Sequence, residues 1–315
     1  MQTSANRYRV DGAFDTAYAR HHRHVWGLCY RMTGSSADAD DLMQDTFERL
    51  VTNPPKDVQR TLRPWLVRVA MNLSRDRLRR RRRKKYGGDW LPEPIEALEH
   101  EPPAEHVERA DTEARYDLME SVSIAFLVAL EALRPTARAV LLLRDVFDYS
   151  VKETATALDM SEANVKTTLH RARRQMATYD DAPKSGPVED AQHAMMALFS
   201  HLVAGDVEGV EALLAADVVA RSDGGGRYRA AHRPVIGAER VAKYLVGITA
   251  KRGAPVWFEP RVLNGAAGFV ARFAEREGHA TYIAMTFDVD ATGKLVRMYS
   301  QLDETKMTKV RLTAQ

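Results

Sequence analysis

Residues 151–176 read VKETATALDMSEANVKTTLHRARRQM. A short helix-periodic run ends near Leu158, the pair Asp159-Met160 makes a tight turn, and Ser161 is placed to cap a second helix with Glu162 in its first turn. Ala155, Leu158, Met160, Val165 and Leu169 have the spacing that packs the two helices of a helix-turn-helix. This leaves Asn164, Lys166, Thr167, His170, Arg171 and Arg174 at or near the outer face of the second helix. Those residue types suit base edges in a major groove and phosphates. Asp159 stands where a left-handed residue is needed, a conformation that aspartate reaches less cheaply than glycine. A plain helical hairpin with a basic surface shares the apolar spacing; the tight turn followed by a cap favours the helix-turn-helix.

Upstream lies a second helical block. Phe14, Tyr18, Val25, Leu28, Cys29 and Met32 recur at helical spacing. Gly34 ends that helix and Ser36 is placed to cap the next. In the next helix Leu42, Met43, Phe47, Leu50 and Val51 make an apolar face, opposite Asp38, Asp40, Asp41, Gln44, Asp45, Glu48 and Arg49. The turn-rich stretch 53–63 breaks the pattern, and Pro64 predicts the first turn of a third helix, with Trp65, Leu66, Val69, Ala70 and Leu73 on its buried side. That helix ends in RLRRRRRKK, residues 77–85. A basic helix end of this kind suits neutralisation of a nucleic-acid backbone, although a charge run is also an ordinary solvated face.

The chain has 315 residues, 45% hydrophobic and 28% charged, with a formal net charge of only +3, so whole-chain charge does not itself point to nucleic acid. The length calls for more than one domain. The single cysteine, Cys29, excludes an intrachain disulfide and belongs to an apolar pattern, so a core residue is expected rather than a redox sensor. No apolar run is long enough to span a bilayer and no signal-peptide pattern opens the chain, so a cytoplasmic protein without membrane contact is expected.

The boundaries predicted are a helical domain at 1–85, a linker at 86–112, a helical domain at 113–179, a hinge at 180–187 (DDAPKSGP) and a last domain at 188–315. The stretch 89–113 holds nine acidic residues and one basic one, Arg109. In the last segment a helix over 190–204 leads to strands in GFVARFA, ATYIAMTFDVD and LVRMYSQL, the pattern of a curved sheet.

The order of these parts carries a resemblance. DADDLMQDTFERLV (38–51) followed by RPWLVRVAMNLSRDRLR (63–79) resembles the region-two domain of extracytoplasmic-function (ECF) sigma factors. LRPTARAVLLLRDVFDYSVKETATALDMSEANVKTTLHRARRQM (133–176) resembles their region-four domain. WLPEP (90–94) looks like the linker motif of a subgroup in which a SnoaL-like domain follows region four, and DGGGR (223–227) looks like that subgroup's glycine-rich motif. Near the C-terminus, where the subgroup often has an NPDKL-type motif, this chain has QLDETKM, 301–307. The fold implied is multidomain: two all-α domains, a helical bundle and a helix-turn-helix, plus a C-terminal α+β SnoaL-like (NTF2-like) cone.

The resemblance implies a sigma factor that binds core RNA polymerase, at the β′ clamp helices and the β flap, and recognises the −10 and −35 elements of promoter DNA. It assigns Asp41, Gln44, Asp45 and Arg49 to polymerase. Arg68, Asn72, Arg75 and Arg79 go to the −10 region, with Asn72 beside a flipped base, and Asn164, Lys166, Thr167, His170, Arg171 and Arg174 go to the −35 region. Trp90, Leu91, Pro92, Glu93 and Pro94 are expected against Asp223, Gly224, Gly225, Gly226 and Arg227 as an interdomain regulatory contact, with Arg227 beside Glu93. The glycines there shape a tight turn that approaches the linker.

No cofactor and no metal are implied, and an unidentified small-molecule ligand of the SnoaL-like pocket stays open. Asp223, His232, Tyr282, Asp288 and Tyr299 are eligible by type for acid–base work, but no pairing or spacing singles them out, and the chain is not expected to be an enzyme. Two other readings stay open. One is a helix-turn-helix regulator with a ligand-sensing domain, which would not need the region-two bundle. The other is a SnoaL-type enzyme fused to a DNA-binding part, which would need a paired acid–base constellation.

Overall fold

A computed structural model describes residues 12–81, 86–96, 115–182 and 186–312. Residues 82–85 of the basic run, 97–114 of the acidic linker and 183–185 of the hinge lie outside them. The described residues divide into two compact units. One comprises 12–81, 115–122 and 129–180; the other comprises 86–96, 123–128, 181–182 and 186–312.

In the helical unit, α1 (Ala13–Thr33) ends where Gly34 turns left-handed at φ 65° and returns its N–H to the Tyr30 carbonyl at 2.6 Å. That turn leaves Ser35 extended, and its hydroxyl accepts from the Asp38 N–H at 3.1 Å. The cap of α2 (Ser36–Thr52) is therefore Ser35, one residue earlier than the sequence reading placed it, and Ser36 is already helical and buried. Val25, Leu28, Cys29 and Met32 are fully buried on α1. Burial pushes the Cys29 thiol up to about 12, the state of a core residue rather than of a reactive thiolate. Phe14 and Tyr18 meet Phe47 of α2 at ring-centroid distances of 6.2 and 5.0 Å.

The third helix, α3 (Val58–Arg81), departs from its expected start: it begins six residues before Pro64 and keeps that proline inside. Pro64 is exposed, and its ring removes one hydrogen bond from the helix, a loss a helix can carry at the cost of a kink. The buried face is also rotated from the one expected. Leu66, Ala70 and Leu73 are buried, but so are Val67, Met71, Ser74 and Leu78, while Trp65 and Val69 are only half-buried.

Then follow α4 (Ile124–Leu130), α5 (Pro135–Asp145), α6 (Val151–Leu158) and α7 (Glu162–Asp180). Pro135 opens α5, where its missing N–H has no helical partner to lose. A capping box starts α6: the Ser150 hydroxyl accepts from the Glu153 N–H, and the Glu153 carboxylate accepts from the Ser150 N–H. Ser161 caps α7 through the Asn164 N–H at 3.2 Å. Two buried arginines tie the unit together. Arg138 donates to the carbonyls of Met32 (2.8 Å) and Leu130 (2.7 Å) and to Glu131 (2.9 Å). Arg31 donates to the Ser121 hydroxyl (2.7 Å) and the Leu118 carbonyl (2.8 Å).

The turn between α6 and α7 is made by Asp159 at φ 55°, ψ 53°. Because a residue with a Cβ is disfavoured there, Asp159→Gly is expected to stabilise the chain by about 1 kcal/mol. Thermal unfolding of the full chain checks this, and an unchanged midpoint would show that the aspartate side chain compensates locally.

The second unit contains α8 (Val188–Ala204), α9 (Val207–Ala212), β1 (Leu214–Asp223), β2 (Val235–Ile236), α10 (Ala238–Arg252), β3 (Trp257–Leu263), β4 (Ala266–Arg272), β5 (Tyr282–Val289) and β6 (Leu295–Gln301). The six-stranded sheet has the order β2-β1-β6-β5-β4-β3. The β1–β6 pair is parallel and the others antiparallel. Register shifts within β1, between Leu214 and Val219, and within β5, between Asp288 and Val289, interrupt the ladders; such irregularities bend a strand and sharpen its twist.

Alternation along the strands gives the sheet two different faces. Val218, Ala220, Phe269, Phe287 and Met298 pack with Met195 and Leu198 of α8 and Val241 and Leu245 of α10. On the opposite face Leu263, Val270 and Ala284 pack with Met307 and Val310 from the chain that follows β6.

Candidate functional site

The helical unit presents three of the predicted surfaces. On α2, Asp41, Gln44, Asp45 and Arg49 are all exposed, opposite buried Leu42, Phe47 and Leu50. Arg77 of α3 is ion-paired with Asp38 and reaches Asp41 at 3.5 Å. On α3, Arg68 and Arg79 are exposed, whereas Asn72 and Arg75 are half-buried. The Arg75 guanidinium donates to the Asn72 side-chain oxygen at 3.2 Å and to the Leu158 carbonyl, at the end of α6, at 3.3 Å. Burial, and then the charge of Arg79, lower the Arg75 pKa from its ordinary value. Two of the four α3 residues thus face solvent, while Arg75 is bonded to the first helix of the helix-turn-helix and Asn72 to Arg75.

On α7, Asn164, Lys166, Thr167, His170, Arg171 and Arg174 are all exposed, while Val165, Leu169, Ala172 and Met176 of the same helix are buried. Within the buried set the spacing is three or four residues, about one turn, which puts it on one side of the helix and the exposed set on the other, as a helix needs if it is to pack with one side and read a groove with the other. Arg173 does not join this face: it makes a two-bond pair with fully buried Asp145, at 2.9 and 2.6 Å.

In the sheet unit, residues 86–96 run along the face turned away from α8 and α10. Leu91, Pro92, Glu93, Pro94 and Ile95 are buried, and Trp90 is half-buried. The segment is held through its backbone. The Leu91 N–H donates to Asp223 Oδ2 at 2.9 Å, and the Ile95 N–H donates to Asn264 Oδ1 at 3.0 Å. The Asn264 N–H returns a bond to the Ile95 carbonyl at 2.9 Å, and the Glu96 N–H donates to the Lys309 carbonyl at 3.2 Å. Asn264 can do this because it sits at φ 53°, just before Gly265 at φ 75°, in the tight turn joining β3 and β4. Arg221 of β1 makes a two-bond pair with Asp89, at 2.8 and 2.9 Å.

Asp223 is the hub. Its carboxylate is buried and accepts from the Tyr86 hydroxyl (2.5 Å), the Leu91 N–H (2.9 Å), the Gly225 N–H (2.9 Å) and the Lys306 ammonium (2.6 Å). Burial, and then the hydrogen bond to Asp223, push the Tyr86 phenol above its ordinary value. Gly225 and Gly226 are left-handed, at φ 63° and 71°. A side chain at 225 would collide with Asp303, and Gly226 lies against Gly87, so the glycine-rich turn brings backbone to backbone with the segment. Arg227 is mostly exposed and its ion pair among the described residues is with Asp303, at 3.9 Å, rather than with Glu93.

The other residues eligible for acid–base work are scattered in role. Asp288 pairs with Arg297 at 2.9 Å, His232 is exposed, Tyr282 packs with Leu263 and Met307, and burial raises the pKa of Tyr299. Among the described residues no group of three or more His, Cys, Asp or Glu side chains is placed to hold a metal ion. No helix among them is long and apolar enough to cross a membrane. Sequence reasoning missed Tyr86, Asp89, Ile95, Arg221, Asn264 and Lys306. The Asn-Gly pair at 264–265 was the one local signal, since it marks a tight hairpin.

Residues 17–84 match the Sigma-70 region 2 family and residues 123–176 the Sigma-70, region 4 family. The chain is 32% identical over 234 residues to the ECF RNA polymerase sigma factor SigJ of Mycobacterium tuberculosis (strain ATCC 25618 / H37Rv), covering 73% of this chain and 72% of that protein. It is 33% identical over 232 residues to the ECF RNA polymerase sigma factor SigG of Mycobacterium tuberculosis (strain CDC 1551 / Oshkosh), covering 66% of this chain and 60% of that one. The crystal structure of Mycobacterium tuberculosis SigJ superposes with a TM-score of 0.70 at 25% identity, covering 92% of this chain and 97% of that chain. Matching both sigma regions, and 32% identical to SigJ over 234 aligned residues that cover most of each sequence, the protein belongs to the ECF RNA polymerase sigma factor family.

Proposed function

We propose that this sigma factor reads the −35 element with the outer face of α7 and the −10 element with α3, and docks on polymerase through α2. Asp41, Gln44, Asp45 and Arg49 meet the β′ clamp helices, and the region-four domain meets the β flap. The chain acts in the cytoplasm as a dissociable subunit and makes or breaks no covalent bond. Its sheet domain regulates it in cis. Residues 86–96 are covalently joined to both helical blocks, so holding that segment on the sheet restrains both.

The observation that carries the promoter reading is the α7 face: six side chains suited to bases and phosphates, all exposed, on a helix whose other side is core. The test is in-vitro transcription with core polymerase on a promoter library, using the full chain. Arg171→Ala and Arg174→Ala are each expected to weaken promoter binding about tenfold or more where the guanidinium reads a base. A phosphate contact would instead reduce the salt dependence without changing sequence preference. If both variants transcribe as the unaltered chain does, α7 is not the reader. Asp45→Arg is expected to weaken capture of core polymerase while leaving the circular-dichroism spectrum and DNA contacts unchanged. Undiminished capture removes α2 from the polymerase interface. A helix-turn-helix regulator that works without polymerase would show promoter binding but no dependence on core enzyme.

A further inference from the structure

The Lys306 side chain ends in surroundings built for an ammonium group. Its nitrogen lies 2.6 Å from Asp223 Oδ2 and 3.1 Å from the Leu91 carbonyl. It also stands over two ring faces, 4.8 Å from the Tyr86 centroid and 4.7 Å from that of Trp90. A buried carboxylate, a carbonyl and two π faces are the elements with which proteins bind organic cations. Two further carboxylates nearby, Glu93 and Asp303, are also buried. Both act on the Tyr86 phenol together with Asp223, so the surroundings are rich in negative charge.

The carboxylate, the carbonyl and the two rings named here all belong to other segments than the one carrying Lys306. They come from the linker and the end of β1, whereas Lys306 sits on the short 3-10 turn Glu304–Lys306. What is recognised is therefore the ammonium, not the lysine backbone. Two of the contacts require N–H donors, which a quaternary ammonium lacks.

We propose that Tyr86, Trp90, Asp223 and the Leu91 carbonyl form a binding site for a primary alkylammonium ion, which the chain fills with its own Lys306. The linker segment is then held by a cation that a free amine of the same chemistry can replace.

The test needs neither polymerase nor DNA, so it stands or falls separately from the promoter reading. Lys306→Ala removes three methylenes and the nitrogen, the outline of n-propylammonium. In the full-length variant, hydrogen exchange of peptides covering 86–96 is expected to rise about tenfold or more, because the Leu91 and Ile95 N–H groups lose their fixed acceptors. Added n-propylammonium at tens of millimolar is expected to restore the protection. The same concentration of sodium or tetramethylammonium chloride is expected not to do so. Lys306→Met, which fills the space with an apolar stem, is expected to lose protection without rescue. Unchanged exchange in Lys306→Ala, or rescue by the control salts as good as that by n-propylammonium, overturns the assignment. Should Lys306→Ala fail to fold, n-propylammonium during refolding is expected to recover the sheet domain, and failure there overturns it equally.

Discussion

Asp223→Ala is expected to destabilise the sheet unit by about 3–5 kcal/mol, the range for removing one partner of a buried ion pair. The side chain has no exposed surface, and Lys306 is 11% exposed. The substitution leaves that ammonium beside two aromatic rings without its carboxylate, and strips the Leu91 and Gly225 N–H groups of their acceptor. Asp223→Asn keeps one acceptor oxygen and most of the shape, so its loss should be smaller. Urea unfolding followed by a probe in the sheet unit measures both. If Asp223→Ala unfolds at the same urea concentration as the unaltered chain, the four bonds to this carboxylate contribute nothing net. Read by transcription, the same variant tests control in cis: freeing 86–96 is expected to change promoter output, and an unchanged output makes the segment a tether only.

Arg138→Met is expected to have a comparable effect in the helical unit, about 3–5 kcal/mol. Arg138 is 2% exposed and satisfies the Met32 carbonyl at the end of α1, the Leu130 carbonyl and the Glu131 carboxylate. Methionine fills much of the volume but takes the guanidinium from the Met32 carbonyl, leaves the Leu130 carbonyl with the Leu133 N–H at 3.0 Å, and removes one ion pair of Glu131, whose pair with Arg81 stays. The substitution also has a signature in pH. Burial by itself would raise the Glu131 carboxyl, but Arg138 and then Arg81 outweigh it and hold the group below its ordinary value. A carboxyl whose pKa is lower folded than unfolded adds stability above the unfolded value, and loses it as pH falls through the folded one. In Arg138→Met the folded value moves back up, so the stability gap between the two proteins should narrow below about pH 4. Denaturant midpoints from pH 7 to pH 3 check this, and a gap that stays constant means Glu131 is not coupled to Arg138.

The helical part of the fold was legible because its signals are local. Gly34, the Asp159 turn and the Ser161 cap each set a boundary within one or two residues. The errors were local too. Ser35 displaced Ser36 as a cap because the cap conformation follows directly on the left-handed glycine. Pro64 was taken for a helix start because its missing N–H is costless there, yet α3 begins six residues earlier and keeps the proline inside. The strands of the last domain were legible by alternation, but their order was not. Nothing in the residues of β1 announces that its parallel neighbour is β6. The same limit governs the linker's surroundings. Trp90 and Leu91 stood out as apolar residues in an acidic stretch, whereas Asn264 and Lys306 lie more than 160 residues further on and look like any turn asparagine and any surface lysine. Only the fold brings them to Ile95 and Trp90.

The place of β6 in the sheet has a consequence for the life of each chain. β6 lies between β1 and β5, pairing Leu214 with Leu295, and Lys306 follows it. A ribosome delivers α1 to α7 first and, at roughly 5–20 residues per second, needs on the order of ten seconds more to reach Lys306. Until then the sheet is split, with β1 waiting for its partner, and the Asp223 carboxylate has no ammonium to meet. Every newly made copy thus completes its helical regions before the apparatus that holds its linker exists. A transcript broken between the codons for Leu295 and Lys306 would leave a chain permanently in that immature condition.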